Sequence, residues 1–289
     1  MKKEDSLELK VIKIALPLLV YVGVQLVIQV IFGIYSVWYK FRTIENSDSD
    51  HALLAYRFLE YTEEYMNNHG LIALFFAGII TLLILFFIRK RGYITGNWQW
   101  ELPSAKVAGL VCGLGIFAAG GLGRLVTAVT AAVSSYGEVQ DSFIKNPLLF
   151  QILTLCIVSP LVEEVIFRDM MYGQLKETMN VVAASVVSAL LFGIYHGNLS
   201  QGIYGFLLGL LFCFVREYAG TMIAPVLLHM SCNTTALVMM YLPFSQKVDN
   251  RPVAYWIVLG FELAGMAMIL WVMNRMRKKR KRKEEEKNV

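Results

Sequence analysis

The sequence predicts an all-α fold, a polytopic transmembrane bundle of about eight helices, and two observations lead to that prediction. Hydrophobic residues make up 56% of the 289 residues and charged residues only 17%, which is too apolar for an ordinary soluble domain. Apolar runs of about 20 residues, the length that crosses roughly 30 Å of hydrocarbon, recur along the chain. These runs lie near residues 11–38, 71–88, 105–134, 147–175, 180–197, 200–216, 221–242 and 253–273.

The first run is too long for the core of a cleaved signal peptide, so it is expected to stay as an anchor. Basic residues flank the runs near positions 2–13, 89–91 and 275–283. Short loops rich in Lys and Arg stay in the cytoplasm. With eight spans, these three basic segments lie on the same side of the membrane. Both termini are therefore expected in the cytoplasm. The polar stretch 39–70 is expected outside, with the weakly amphipathic segment 51–66 lying on the outer surface.

No repeat or linker divides the sequence, which predicts a single integral membrane domain over residues 1–289. It comprises N-terminal helices and an external loop in 1–146, a core in 147–242, a last helix in 253–273 and a basic tail in 274–289. A basic tail can bind nucleic acid. Directly after a membrane span, however, it is typical of a segment that contacts anionic lipid headgroups. We therefore expect the lipid bilayer as a partner and no nucleic acid.

Small and charged residues inside the runs predict how helices pack. The glycines of 109–125 superficially resemble a dinucleotide-binding loop, but no strand precedes them, so close helix packing is the expected role. Gly205 and Gly209 form another pair of small residues four apart. Arg124, toward the predicted outer end of its run, is expected to extend its side chain to the membrane interface.

Two adjacent acids, Glu163 and Glu164, lie inside the run 147–175. A carboxylate in hydrocarbon costs roughly 2.5 to 3.5 kcal/mol on insertion scales unless it is paired or faces a wet cavity. Glu164 and Arg168 are four residues apart and are expected to form an ion pair that steadies the helix. Glu163 points about 100° away and can face a water-filled pocket. Pro160 removes a helical hydrogen bond nearby and predicts a bend.

The histidines His196 and His229 end or interrupt apolar runs. At 1.5 Å per residue, Glu163 lies roughly 22 Å before the polar break 176–180, and His196 lies roughly 24 Å after it. A tight antiparallel turn at the break would bring the two side chains to the same depth. His229 and Asn233 are four apart on one helix face. One such pair is weak evidence, but four polar side chains from three helices predict a shared site.

The same residues form three ordered motifs, EEVIFR at 163–168, FGIYH at 192–196 and HMSCN at 229–233. They match the EExxxR, FxxxH and HxxxN motifs in order and at similar separations. Residues 147–242 therefore resemble the CAAX-protease and bacteriocin-processing (CPBP) intramembrane endopeptidases, the group that includes the prenyl-protein endopeptidase Rce1. The first hundred residues add no support to this resemblance.

The resemblance implies peptide-bond hydrolysis in the membrane, with Glu163, Glu164, His196, His229 and Asn233 as catalytic residues. Glu163 would activate a water that His196 helps to hold, while His229 and Asn233 would ligate a metal or stabilise the oxyanion. Amide hydrolysis needs a base near the water and a donor near the developing negative charge, and these groups supply both. Glu163, or in its place Glu164, together with His196 and His229 would also hold Zn²⁺ with one position open. A metalloprotease and a glutamate-dependent enzyme without metal both stay open.

Two other classes of protein are considered. An ion- or proton-coupled transporter also uses acids and histidines in membrane helices, but no inverted repeat is visible. A non-proteolytic scaffold or bacteriocin immunity factor would keep the fold, although the motif residues are all intact. The short loops and short chain are typical of a bacterial protein. We therefore expect a bacterial cell membrane protein that cleaves a peptide precursor or a membrane-associated protein.

Overall fold

A computed structural model of the chain describes residues 7–43, 51–91, 99–130 and 142–287. Within these ranges the secondary structure is helical and contains no strand, so the all-α prediction is confirmed. The basic residues Lys2 and Lys3 and the end of the run 105–134 lie outside the described residues. The helices are α1 Leu7–Thr43, α2 His51–Lys90, α3 Ala105–Thr130, α4 Leu148–Thr178, α5 Val181–Tyr195, α6 Leu199–Ala219, α7 Ile223–Tyr241, α8 Pro243–Asp249 and α9 Pro252–Lys287.

Seven of the helices in the described ranges are long and apolar enough to cross a membrane, and the chain is an integral membrane protein. The remaining predicted span, 180–197, corresponds to α5, which has 15 residues. At 1.5 Å per residue, α5 is about 22 Å long, shorter than the roughly 30 Å hydrocarbon core.

The predicted external loop is mostly helical. Residues 51–66 are not a separate surface helix, as the sequence analysis expected, but the first turns of α2. The reason is that no proline interrupts residues 51–90, so the polar turns continue directly into the apolar run. Residues 44–50, the connection between α1 and α2, lie outside the described part of the chain.

Residue contacts divide the chain into two compact units. The first unit is Met1–Ile94 with Gly137–Val162, and the second is Thr95–Tyr136 with Glu163–Val289. All the predicted site residues belong to the second unit.

In the first unit, Asn146 fixes the start of α4 to the middle of α2. Its side-chain oxygen accepts a hydrogen bond from the amide of Leu71 at 3.0 Å, and its amide group donates to the carbonyl of Asn67 at 2.8 Å. The hydroxyl of Thr154 donates to the carbonyl of Leu71 at 2.9 Å. Because hydrocarbon offers no water to polar groups, such contacts between helices stabilise this unit.

In the second unit, α4 and α5 form the tight antiparallel turn that the sequence analysis predicted. α4 ends at Thr178 and α5 begins at Val181. Between them, the side chain of Asn180 caps α5 by accepting a hydrogen bond from a backbone amide at 2.9 Å, which satisfies one of the unpaired amides of the first turn. α5 then packs back on α4, where the hydroxyl of Ser188 donates to the carbonyl of Phe167 at 2.9 Å.

The central helix α4 departs from regular α-helical geometry. Two π-helical stretches, Gln151–Val158 and Val165–Met171, enclose an α-helical piece, Ser159–Glu164, that ends with the two acids. π-helical turns are rare and occur frequently at functional sites. Pro160 lies in the piece between them and has no amide hydrogen to donate, so helical hydrogen bonding is irregular on both sides of it.

The glycines of α3 allow close packing of α3 with α7 and α9, so the packing interpretation is confirmed. Gly115 lies against Ser231 of α7, and Gly120 lies against the carboxylate of Glu262 of α9, and at each position a Cβ would collide with its neighbour. The hydroxyl of Ser231 also donates to the carbonyl of Cys112 at 2.8 Å. A larger residue at Gly115 would push α3 and α7 apart, and one at Gly120 would displace the carboxylate of Glu262.

Arg124 pairs with two acids, and its expected extension to the membrane interface stays a prediction. Arg124 is only 8% exposed. Its Nε donates to Oδ1 of Asp249 at 3.1 Å, and its Nη1 donates to Oε1 of Glu262. Two acids from α8 and α9 therefore neutralise the guanidinium inside the protein. Glu262 was not predicted as a partner of Arg124, although an acid within an apolar run is itself a signal that a partner is needed.

Candidate active site

The two adjacent acids of α4 have different surroundings. Glu164 is completely buried, whereas Glu163 retains 8% exposure. Oε1 of Glu164 lies 3.4 Å from Nη1 of Arg168, one turn further along the helix, and the guanidinium is completely buried as well. The side chain of Glu163 leaves the helix in another direction. One acid is therefore committed to an ion pair, and the other is directed toward the histidines.

His229 of α7 connects the two acids. Its Nδ1 lies 2.9 Å from Oε1 of Glu164, and its Nε2 lies 3.7 Å from Oε2 of Glu163. An ionised carboxylate can only accept hydrogen bonds. With Glu164 ionised beside Arg168, Nδ1 of the imidazole therefore carries the hydrogen and Nε2 faces Glu163. Arg168 was predicted as the partner of Glu164, but the contact of Glu164 with His229 was not predicted.

His196 follows directly after α5 and is held from two sides. Its Nδ1 lies 2.8 Å from the carbonyl of Phe192, which can only accept, so Nδ1 carries a hydrogen and Nε2 is the acceptor of the neutral ring. Gly205 of α6 makes room for the ring, because a Cβ there would lie 3.3 Å from Nδ1. Both imidazoles interact electrostatically with Glu163. Gly197 then adopts a φ of +67°, which glycine tolerates best, and the chain turns into α6.

Three phenylalanines surround the buried guanidinium of Arg168. The guanidinium carbon lies 5.7 Å from the ring centroid of Phe167, 4.3 Å from that of Phe192 and 4.9 Å from that of Phe212. Such contacts stabilise a cation through the negative face of each ring. The ring of Phe192 also meets both site imidazoles edge to face, at centroid distances of 4.8 and 5.8 Å. The phenylalanine of FGIYH therefore supports both histidines and the arginine.

Asn233 lies one turn after His229 on α7 and is half-buried. A spacing of four residues puts its carboxamide on the helix face that carries the imidazole. The arrangement thus brings Glu163, Glu164, His196 and His229 together from α4, from the end of α5 and from α7. Asn233 is placed beside them by its position on α7.

In the described part of the chain, no group of three or more His, Cys, Asp or Glu side chains is arranged to hold a metal ion. Nδ1 of His229 is occupied by Glu164, its Nε2 is 3.7 Å from Glu163, and Nδ1 of His196 contacts its own helix. Nε2 of each histidine is thus the ring nitrogen left for a ligand. The zinc site formed by Glu163, His196 and His229 stays a prediction.

Residues 145–235 match a family model, that of the type II CAAX prenyl endopeptidase Rce1-like proteins. The matched segment contains all three motifs, EEVIFR, FGIYH and HMSCN. The resemblance to the CPBP class of membrane endopeptidases is therefore confirmed over the segment that carries the candidate site.

A curated relative gives the same indication. The chain is similar to the "Putative membrane peptidase YdiL" of Bacillus subtilis (strain 168), with 28% identity over 109 residues. The similarity covers 38% of this chain and 45% of that protein, so the chain spans less than half the length of this relative. No solved structure matches the chain significantly.

Two residues of α6 that shape the site were not predicted as site residues. Phe212 stacks on the imidazole of His229, with centroids 4.6 Å apart and planes inclined by 23°. Gly209, predicted only as a packing residue, lies against Arg168, where a Cβ would be 2.9 Å from Nη2. A phenylalanine in an apolar run carries no compositional signal, and a glycine signals close approach without naming its neighbour.

Proposed function

We propose that the chain is a membrane-embedded endopeptidase that hydrolyses a peptide bond with a water molecule activated by Glu163. The contact of His229 with both acids supports this proposal most strongly. Arg168 and His229 engage Glu164, while Glu163 keeps a small exposed surface and has no arginine or lysine beside it among its described ion pairs. An intramembrane acid that no arginine or lysine neutralises is by default a functional group.

In the proposed reaction, Glu163 accepts a proton from water as the water oxygen attacks the carbonyl carbon of the substrate. Nε2 of His196 accepts the second hydrogen bond of the same water and holds it in place. The carbonyl oxygen then carries negative charge, which the carboxamide of Asn233 stabilises. Nε2 of His229 accepts a hydrogen bond from the carboxyl group of Glu163 once that group holds the proton. Glu163 returns its proton to the nitrogen as the carbon–nitrogen bond breaks, leaving a carboxylic acid product and an amine product.

In this proposal, Glu164 acts on His229 rather than on the water. Its bond to Nδ1 directs Nε2 of the imidazole toward Glu163, and the charge of Arg168 keeps Glu164 available as an acceptor. A carboxylate that orients an imidazole through one ring nitrogen is a recurrent arrangement in hydrolases. Loss of the Glu164 charge should therefore impair hydrolysis without removing the base itself.

We further propose that the protein acts in a bacterial cell membrane on a peptide precursor or a membrane-associated protein. In this proposal α5 crosses the membrane together with the seven longer helices, so that both termini are cytoplasmic. The basic end of α9 is assigned to anionic lipid headgroups. Two aromatic contacts support a membrane-interface position: the guanidinium of Arg275 lies 4.4 Å from the ring of Trp271, and that of Arg280 lies 5.5 Å from the ring of Tyr218. Aromatic and basic residues concentrate at this level of a bilayer.

The test compares membrane peptides, by mass spectrometry of new N-termini, from cells producing wild-type protein or the Glu163→Gln variant. Glutamine keeps the size and much of the hydrogen bonding but removes the base. Glu177→Gln, an exposed acid in the last turn of the same helix, is the matched control. We expect new N-termini in cells producing the wild-type protein or Glu177→Gln, and none of them in cells producing Glu163→Gln. The same N-termini with Glu163→Gln would contradict the proposal.

The zinc prediction is tested on the purified protein by elemental analysis and by chelation. About one zinc per chain, lost in a His196→Ala variant, would support the metalloprotease. Cleavage that continues in protein without metal would support a glutamate-dependent enzyme. Ion flux in proteoliposomes, measured alongside, separates both from a transporter.

A further inference from the structure

Phe212, in the middle of α6, contacts two functional groups of the candidate site although it belongs to none of the three motifs. Its side chain is completely buried. The ring stacks on the imidazole of His229 at 4.6 Å and lies 4.9 Å from the guanidinium carbon of Arg168. A single apolar residue thus packs against both partners of Glu164.

The stacking matters because one hydrogen bond does not fix the plane of an imidazole ring. The bond from Nδ1 of His229 to Glu164 fixes one atom, and the ring can still rotate about that contact. The nearly parallel ring of Phe212, inclined by 23°, defines the plane itself. The other neighbouring ring, that of Phe192, touches His229 only by an edge, at 85°. Of the two rings, only that of Phe212 lies nearly parallel to the imidazole.

We propose that Phe212 is a positioning residue for His229, whose flat face holds the imidazole in the plane that aims Nε2 at Glu163. The consequence for hydrolysis rests on the proposed function. The orientation of the His229 ring does not rest on the proposed function, because it can be measured on the protein without a substrate. The two parts can therefore fail separately.

The ring is observed by nuclear magnetic resonance of protein in detergent micelles, labelled with nitrogen-15 only in its histidines. The chain has four histidines, so four ring systems appear, and a His229→Gln variant identifies the one that belongs to His229. In the wild type we expect one dominant tautomer with the hydrogen on Nδ1 and ring protons shifted upfield by the stacked aromatic face. Phe212→Leu removes that face at similar volume.

In Phe212→Leu we expect loss of the upfield shift and movement of the two ring-nitrogen signals toward the average of exchanging tautomers. Phe212→Tyr, which keeps the face, should retain the wild-type signals. Phe214→Leu is the matched control, since Phe214 lies on the same helix but stacks on Tyr218 instead. His229 signals in Phe212→Leu identical to the wild type would overturn the proposal. If the leucine variant does not fold, Phe212→Met gives the same comparison.

The second measurement uses whichever peptide the Glu163→Gln comparison identifies. A small misplacement of a catalytic group chiefly lowers kcat, so we expect Phe212→Leu to lower kcat about tenfold with KM unchanged, and Phe212→Tyr to restore it. The His229 signals could change in Phe212→Leu while neither the wild type nor any variant hydrolyses the peptide. That result would leave the positioning role intact and end the proposed function. Hydrolysis with an unchanged kcat in Phe212→Leu would end the positioning role alone.

Discussion

Gly209 lets α6 approach α5 and the buried arginine more closely than any other residue would. A Cβ at this position would lie 2.9 Å from Cα and Cβ of Ala189 and 2.9 Å from Nη2 of Arg168. Carbon atoms in good contact are about 3.5–4.0 Å apart, so the added methyl group of Gly209→Ala is roughly 0.6 to 1.1 Å too close. One of the opposing atoms belongs to the backbone of α5 and cannot rotate away.

We therefore expect Gly209→Ala to separate α5 from α6 or to displace the guanidinium. Overpacking of this kind usually costs about 1–3 kcal/mol. At about 2–4 °C per kcal/mol for chains of this size range, the thermal unfolding midpoint in detergent should fall by roughly 2–12 °C.

Gly109→Ala is the matched control, because nothing lies within 4 Å of a Cβ at that position of α3. Alanine in an open helix position is favoured over glycine by about 0.5–1 kcal/mol, so this variant should unfold at or above the wild-type temperature. Adding Ala189→Gly to Gly209→Ala removes one opposing carbon and should recover part of the loss. A Gly209→Ala protein as stable as the Gly109→Ala protein would refute the reasoning.

Two further changes test other contacts of the second unit by the same thermal unfolding. Arg124→Met leaves Glu262 buried without a counterion, a change that usually costs about 3–5 kcal/mol, and adding Glu262→Gln should recover most of that loss. No difference between the single and the double variant would mean that the pair is not formed. Asn180→Ala removes the cap of α5 and should lower the free energy of unfolding by about 0.5–2 kcal/mol, whereas an unchanged midpoint would argue that the cap is absent.

Hydropathy predicted which segments are helices but not where each helix ends. The run 180–197 had the length of a membrane span, yet α5 stops at Tyr195. The chain turns there because Gly197 has a positive φ and the side chain of Asn198 caps the next helix by accepting hydrogen bonds from its first amides. A hydropathy window averages over such residues. A helix is ended by a few neighbouring residues, so its end can be predicted only when each residue is examined for its capping chemistry.

The motifs predicted which groups lie together, and turn geometry explains why that part succeeded. The break at 176–180 was short enough to bring Glu163 and His196 to a common depth. The contacts themselves were beyond prediction, because the bond between Glu164 and His229 joins side chains 65 residues apart. Such a bond depends on two rotamers and on helix packing, and neither leaves a periodic trace in the sequence.

The enclosed guanidinium of Arg168 has a consequence for how the protein is made. Its positive charge is permanent, and hydrocarbon provides no partner for it. The rings of Phe192 and Phe212, which enclose it, belong to helices that the ribosome synthesises after α4. Until those helices emerge, the newly made α4 offers the guanidinium only Glu164 and Phe167 as partners. The enclosure of Arg168 is therefore complete only after α5 and α6 have been made.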